Sequence, residues 1–226
     1  MLLPGLLNTE RVWQNQIDAL AELAESEVPE LYNLDSMAAM AEAALAAVQG
    51  PFALAGFSMG GYVAFEILRR SPKRVERLAL VDTQAIADTP ELTRRRLGFL
   101  EQTRIGRFKG VQPALMPLIL HPSRLDDDGV TQPILDMAQH VGAAGFVREQ
   151  HAIMARPDSR PLLGSIRVPT VVIVGRQDLT TPLARSEEMA TTIPNARLVV
   201  IEECGHMSPL EKPAEVSAAL GRWLAE

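Results

Sequence analysis

Ser58 stands in Gly56-Phe57-Ser58-Met59-Gly60, between the apolar run Phe52-Ala53-Leu54-Ala55 and a helical pattern from about Met59 to Arg70. A serine on a sharp strand-to-helix turn has a strained backbone, and only small neighbours fit beside it, as Gly56, Gly60 and Gly61 would. The same turn puts the amide of Met59 at a helix N-terminus, where an anion can be held. A serine hydroxyl is a poor nucleophile at neutral pH and needs a base within hydrogen-bond reach. The four histidines are His121, His140, His151 and His206, and only His206 lies just past a core-strand pattern, Arg197 to Ile201. Asp178 follows the strand pattern Thr170 to Val174 and could orient an imidazole. Each residue has a structural alternative, Ser58 as a helix cap among them. Serine, acid and histidine in that chain order point to nucleophilic acyl chemistry.

These residues need a sheet whose strands end together. Met1 to Leu3, Phe52 to Ala55, Val75 to Val81, Thr170 to Val174 and Arg197 to Ile201 have strand character, and Leu31 to Leu34 adds a candidate sixth. Helical patterns fall between them. They start at Thr9 (Val12, Trp13, Ile17, Leu20, Leu23), at the cap Asp35 or Ser36, and then at Met59, Pro182 and Ala214. Alternation of this kind predicts an α/β fold with a mostly parallel sheet and helices on both faces. Its functional residues would then emerge at the carboxyl ends of strands. From about Gln84 to Arg167 the rhythm changes to helical patterns broken by Pro and Gly, which predicts an inserted helical segment.

The composition suits a soluble globular chain: 226 residues, 47% hydrophobic, 22% charged, with a net charge of −6. A negative balance gives no footprint for nucleic acid or an anionic membrane. Cys204 is the single cysteine, so no intramolecular disulfide or multi-cysteine metal site is expected. The apolar start, Met1 to Leu7, contains Pro4 and Gly5 and soon meets Glu10, which is unlike a signal peptide and predicts a cytoplasmic protein.

Four stretches together resemble the α/β-hydrolase superfamily. They are Gly56-Phe57-Ser58-Met59-Gly60-Gly61; Pro72 to Leu78 leading into Val81-Asp82-Thr83; Gly175-Arg176-Gln177-Asp178 with Pro182; and Gly205-His206-Met207-Ser208-Pro209-Leu210-Glu211-Lys212-Pro213. The resemblance implies a core of residues 1–83 and 168–226, with 84–167 as the variable cap, and a triad of Ser58, Asp178 and His206. Many members reach the oxyanion loop after two antiparallel strands, at a His-Gly pair. This chain reads Pro4-Gly5 almost at once, which implies a minimal sheet of about six strands. Met59 and Leu6 would supply the oxyanion amides, with Leu7 one register step away. Phe57 replaces a histidine often found before the serine.

The activity implied is serine-dependent hydrolysis of a small or medium, largely apolar carboxylic ester, a small-molecule substrate, through an acyl-enzyme. No metal or organic cofactor is required. The same triad could serve C–C, enol-lactone, perhydrolase or acyl-transfer chemistry, and a ligand receptor on this scaffold is the alternative of another class. Met116, Phe146 and Met154 of the insertion are pocket candidates, while Arg94 to Arg96 and Arg104 to Lys109 suit an outer helical face. Asp82 ends a strand where some members place their acid, but with Asp178 present a loop or capping role is expected. Cys204 is expected to be buried, and Asp126-Asp127-Asp128 to form a solvated turn.

Overall fold

The computed structural model describes residues 1–108, 110 and 115–226. Lys109, assigned to an outer basic face, lies outside the described residues. Five strands form one parallel sheet in sequential order: β1 (Leu2–Leu3), β2 (Phe52–Phe57), β3 (Val75–Val81), β4 (Thr170–Gly175) and β5 (Arg197–Ile201). The expected sixth strand is absent among the described residues. Leu31 to Leu34 instead makes a turn, closed by the Leu34 amide on the Leu31 carbonyl at 3.0 Å.

Alternation along the strands sorts side chains between two cores. Leu54, Leu78, Leu80 and Val172 join α2 (Met37–Ala47) and α3 (Met59–Arg70) on one face, with Met189 of α8 (Leu183–Thr192). Ala55, Phe57, Ala79, Val81, Val171 and Ile173 pack on the other, with Trp13, Leu20 of α1 (Gln14–Leu20) and Trp223 of α10 (Pro213–Ala225). Burial on both faces is why these strands read as apolar runs and not as alternating ones. Ser36 caps α2 by accepting a hydrogen bond from the Ala39 amide at 3.2 Å.

Between β3 and β4 lie α4 (Pro90–Arg104), α5 (Met116–Ile119), α6 (Asp128–Met154) and α7 (Arg160–Leu163), with no strand among the described residues. Helix α6 is broken at Gly142, whose φ of 66° and ψ of −177° interrupt the helical backbone. A short helix α9 (Ser208–Glu211) precedes α10. No helix among the described residues is long and apolar enough to cross a membrane. In register, Leu3 faces Gly56, Phe57 faces Val81, and Val81 faces Ile173. The loops that follow β1, β2, β3 and β4 therefore rise from one edge of the sheet.

Candidate active site

Ser58 follows β2, Asp178 lies three residues past β4, and His206 lies five past β5. The fold brings all three together. His206 Nδ1 is 2.8 Å from Asp178 Oδ2, and His206 Nε2 is 2.9 Å from Ser58 Oγ. A carboxylate can only accept, so Nδ1 carries the proton and donates it to Asp178. Nε2 is then left to accept from the Ser58 hydroxyl. Asp178 also receives the amides of Thr180 and Thr181 on Oδ1, at 2.7 and 2.8 Å, and the Thr181 hydroxyl on Oδ2 at 2.7 Å. Burial opposes ionisation of Asp178, but the adjacent His206 charge and these donors win, and its pKa falls below the ordinary carboxylate value. Burial likewise works to lower the pKa of His206. The charge and hydrogen bond of Asp178 outweigh it, and the imidazole titrates above its ordinary 6.5.

The serine sits on a strained turn. Its φ is 52° and its ψ is −114°, a conformation costing on the order of 1–3 kcal/mol in a residue with a side chain. Three contacts hold it there: the Ser58 amide on the Val81 carbonyl at 2.9 Å, and the Gly61 amide and the Thr83 hydroxyl on the Ser58 carbonyl at 3.0 and 2.7 Å. A Cβ on Gly60 would lie 2.2 Å from the Leu3 carbonyl oxygen, and one on Gly56 would lie 2.5 Å from that of Gly60. Only glycine fits at either position. Phe57 packs against the imidazole of His206, with ring centroids 5.5 Å apart.

The sequence matches the alpha/beta hydrolase family over residues 1–219. The chain belongs to that family. It is 32% identical, over 83% of its length, to the pimeloyl-[acyl-carrier protein] methyl ester esterase of Neisseria meningitidis serogroup C, covering 75% of that protein. A thermophilic esterase from Thermogutta terrifontis superimposes with a TM-score of 0.88 at 31% identity, over 99% of this chain and 88% of the esterase. The enol-lactonase from Burkholderia xenovorans LB400 shares the fold, with a TM-score of 0.84 at 24% identity over 100% and 90% of the two chains.

In this α/β hydrolase the loop after β1 carries Leu6 and Leu7. Leu7 is in the left-handed region, at φ 59°, and its amide donates to Glu149 Oε2 of α6 at 3.0 Å. The amides of Leu6 and Met59 make no hydrogen bond among the described residues. Glu149 is 1% exposed, and its other oxygen has no partner among the described residues. Burial pushes its pKa from the ordinary 4.5 up to about 8, although the Leu7 amide and Arg148 pull it down. Because the folded value exceeds the unfolded one, the stability this group supports is complete below about 4.5 and is lost as pH rises through about 8. Glu149→Gln should therefore leave thermal stability almost unchanged at low pH and raise it at alkaline pH, by a few kcal/mol at about 1.4 kcal/mol per pH unit. An equal change in melting temperature at both ends would contradict this.

Two further buried acids lie near Asp178 and His206. Asp82 receives the Gly175 amide on Oδ1 at 2.9 Å and the Ser208 hydroxyl on Oδ2, and burial followed by the nearby Asp178 charge raises its pKa well above the ordinary value. Glu211 accepts the amides of Gly205 and Met207, on either side of His206, at 3.0 Å each, and that of His121 at 2.8 Å. Thr181, Glu149 and Glu211 were not singled out from sequence. Thr180-Thr181 just after Asp178 is a recognisable Asx-turn signal, and Glu211 lies within the family-like Gly205 to Pro213 stretch, but nothing local marks Glu149. Cys204 is fully buried, which pushes its thiol pKa up and keeps it from acting as a nucleophile. His121 bonds to Ser123 and His140 to Tyr32, while His151 is exposed. Asp127 caps α6 and pairs with Arg124. Among the described residues no group of three or more His, Cys, Asp or Glu is arranged to hold a metal.

The pocket candidates separate. Met116 packs in the cluster that contains Phe57 and Met207. Phe146 sits with Leu7, Ala138 and Val141, against Leu6, Phe99 and Phe108. Met154 is half-buried at the end of α6, outside both clusters. Arg94 lies outward, as expected, but Arg96 turns inward to bond Asp88 and Gln150. The buried Asp88 also holds Arg156, so a carboxylate draws Arg96 off the outer face. A cavity of about 500 Å³ is lined by Arg11, Tyr32, Met137 and His140 among others, and not by Ser58, Asp178 or His206.

Proposed function

We propose that this α/β hydrolase, a carboxylic-ester hydrolase, cleaves small or medium esters with a largely apolar acyl or alkyl group through an acyl-enzyme on Ser58. The hydrogen-bonded chain from Ser58 Oγ through His206 to Asp178 Oδ2, at 2.9 and 2.8 Å, carries this reading. Ser58 attacks the carbonyl carbon as His206 Nε2 takes its proton. The tetrahedral intermediate collapses when His206 protonates the departing alcohol. Water then repeats the cycle against the acyl-enzyme and releases the acid. The amides of Met59 and Leu6 hold the oxyanion. The bond from the Leu7 amide to Glu149 supports Leu6 over Leu7, because an occupied donor cannot serve the intermediate.

Residues 84–167 form the cap in this proposal, and the cluster around Phe146 and Leu6 forms the acyl side of the pocket. Apolar linings discriminate weakly, at about 1–3 kcal/mol per methylene. Rates on p-nitrophenyl esters of rising acyl length should therefore fall gently past an optimum. Phe146→Ala should move that optimum to longer chains without impairing the shortest ester. A steep peak on an anionic ester that depends on one cap arginine would refute the pocket.

The acid limb of kcat/KM should follow a single ionisation with its midpoint above the ordinary imidazole value of 6.5, since Asp178 raises His206. Rates in overlapping buffers across pH 5 to 9 test this. A midpoint below about pH 5, with chemistry shown to be rate-limiting, would count against a histidine base.

A further inference from the structure

We propose that Glu149 is a positioning residue for the oxyanion hole, fixing from helix α6 which amide of the loop after β1 faces the reacting carbonyl. The proposal rests on the reading of Leu6 as a donor to the oxyanion. Leu7 is the third residue of a turn closed by the Asn8 amide on the Gly5 carbonyl at 3.2 Å, and its left-handed backbone, φ 59°, is one a leucine rarely adopts, so contacts beyond the turn must favour it. Two such contacts come from α6. Its side chain is buried among Ala138, Val141 and Phe146, and its amide donates to Glu149 Oε2 across 142 residues of sequence. If that amide were released, the peptide between Leu6 and Leu7 could flip, turning the Leu7 N–H toward the site and loosening the turn that carries the Leu6 N–H.

A packing role alone does not account for an acid at this position. Glu149 is 1% exposed, makes one hydrogen bond and leaves its second oxygen without a partner among the described residues. A buried carboxyl so poorly satisfied is unfavourable, and an apolar residue of similar size would pack there better. The cation whose charge acts on it, Arg148, spends its hydrogen bonds on the Tyr32 carbonyl and Asn33. What the carboxyl supplies is an acceptor aimed at one amide of the loop. Because α6 lies between β3 and β4, the seating of that segment and the geometry of the oxyanion hole become one event.

The test compares Glu149→Leu, Glu149→Asp and Glu149→Gln on a short p-nitrophenyl ester, with a trifluoromethyl ketone as a mimic of the tetrahedral oxyanion. Leu removes the acceptor, and Asp withdraws it by one methylene. Both should lower kcat by about 10²-fold, the usual cost of one lost oxyanion donor. KM should stay nearly unchanged, and the inhibition constant of the ketone should rise in parallel with the loss in kcat. Gln restores an acceptor and should recover most of both. If Leu does not fold, Asp answers the same question. Wild-type kcat in Leu and Asp, a loss confined to KM with ketone affinity unmoved, or Gln as impaired as Leu would each overturn the proposal. Ser58→Ala in the same assay separates the two readings. If it retains activity the nucleophile assignment itself fails, whereas if it is inactive and Glu149→Leu is normal, only the role of Glu149 falls.

Discussion

Ser58→Ala is expected to lower kcat on p-nitrophenyl esters by on the order of 10⁶-fold while leaving the fold intact. The size follows from interdependence. His206 Nε2, 2.9 Å from Ser58 Oγ, has no other proton to take at that position, so removing the hydroxyl idles the base and its carboxylate together. Stability should not suffer. Alanine keeps the Cβ, and the turn is held by the Ser58 amide and carbonyl, which bond to Val81, Gly61 and Thr83. Relief from one hydroxyl at a strained position leaves the melting temperature within a few degrees. A fluorophosphonate should label wild type at Ser58, and the variant should take up no label. Labelling mapped to Cys204, or turnover near the wild-type rate in the variant, would remove Ser58 from the role of nucleophile.

The parts of the site legible in the sequence are those fixed by local backbone chemistry. Helix α3 and strands β3 and β5 begin and end where their patterns do, because Gly56 to Gly61, Ser71-Pro72 and the Arg197 to Ile201 run punctuate the chain sharply. Placing Ser58, Asp178 and His206 needed only the rule that loops at the carboxyl ends of parallel strands share an edge. Leu31 to Leu34 misled because four residues with two leucines fit a strand or a turn equally, and only tertiary pairing decides. One edge of the sheet is the expected strand at Leu2 and Leu3, which pairs with Ala55 and Gly56, and Leu31 to Leu34 adds nothing beside it. Glu149 and Arg96 were hidden for a different reason. Charged residues in a helical pattern read as a wet face, and their inward partners, the Leu7 amide and Asp88, are remote or lie before the helix begins. The choice between Leu6 and Leu7 is of the same kind. One step of register in a loop leaves no periodic trace, whereas a single hydrogen bond from α6 separates the two amides.

Asp178→Asn is expected to lower kcat by about 10⁴-fold, and Asp82→Asn by far less, although both acids are buried and the charge of each acts on His206. Direction of hydrogen bonding decides the ranking. In Asp178 the Oδ1 position faces two amides, Thr180 and Thr181, which accept nothing, so an asparagine must keep its oxygen there. Its NH2 group is then forced onto the Oδ2 position, 2.8 Å from His206 Nδ1. Two donors cannot face each other, so the imidazole shifts its proton to Nε2 and presents N–H, not a lone pair, to Ser58. The base is lost even though the geometry survives. Asp82 differs because neither of its oxygens bonds His206: Oδ1 accepts the Gly175 amide and Oδ2 the Ser208 hydroxyl. An asparagine there keeps its oxygen on the Gly175 amide and donates to Ser208, whose hydroxyl is free to rotate. Asp82→Asn thus keeps the bond to Gly175 and reverses only the one to Ser208, and the ends of β3 and β4 stay joined. Steady-state rates for both variants on one ester, with thermal unfolding as the check on folding, measure the ranking. A large loss in Asp82→Asn with a small one in Asp178→Asn would move the acid to the end of β3.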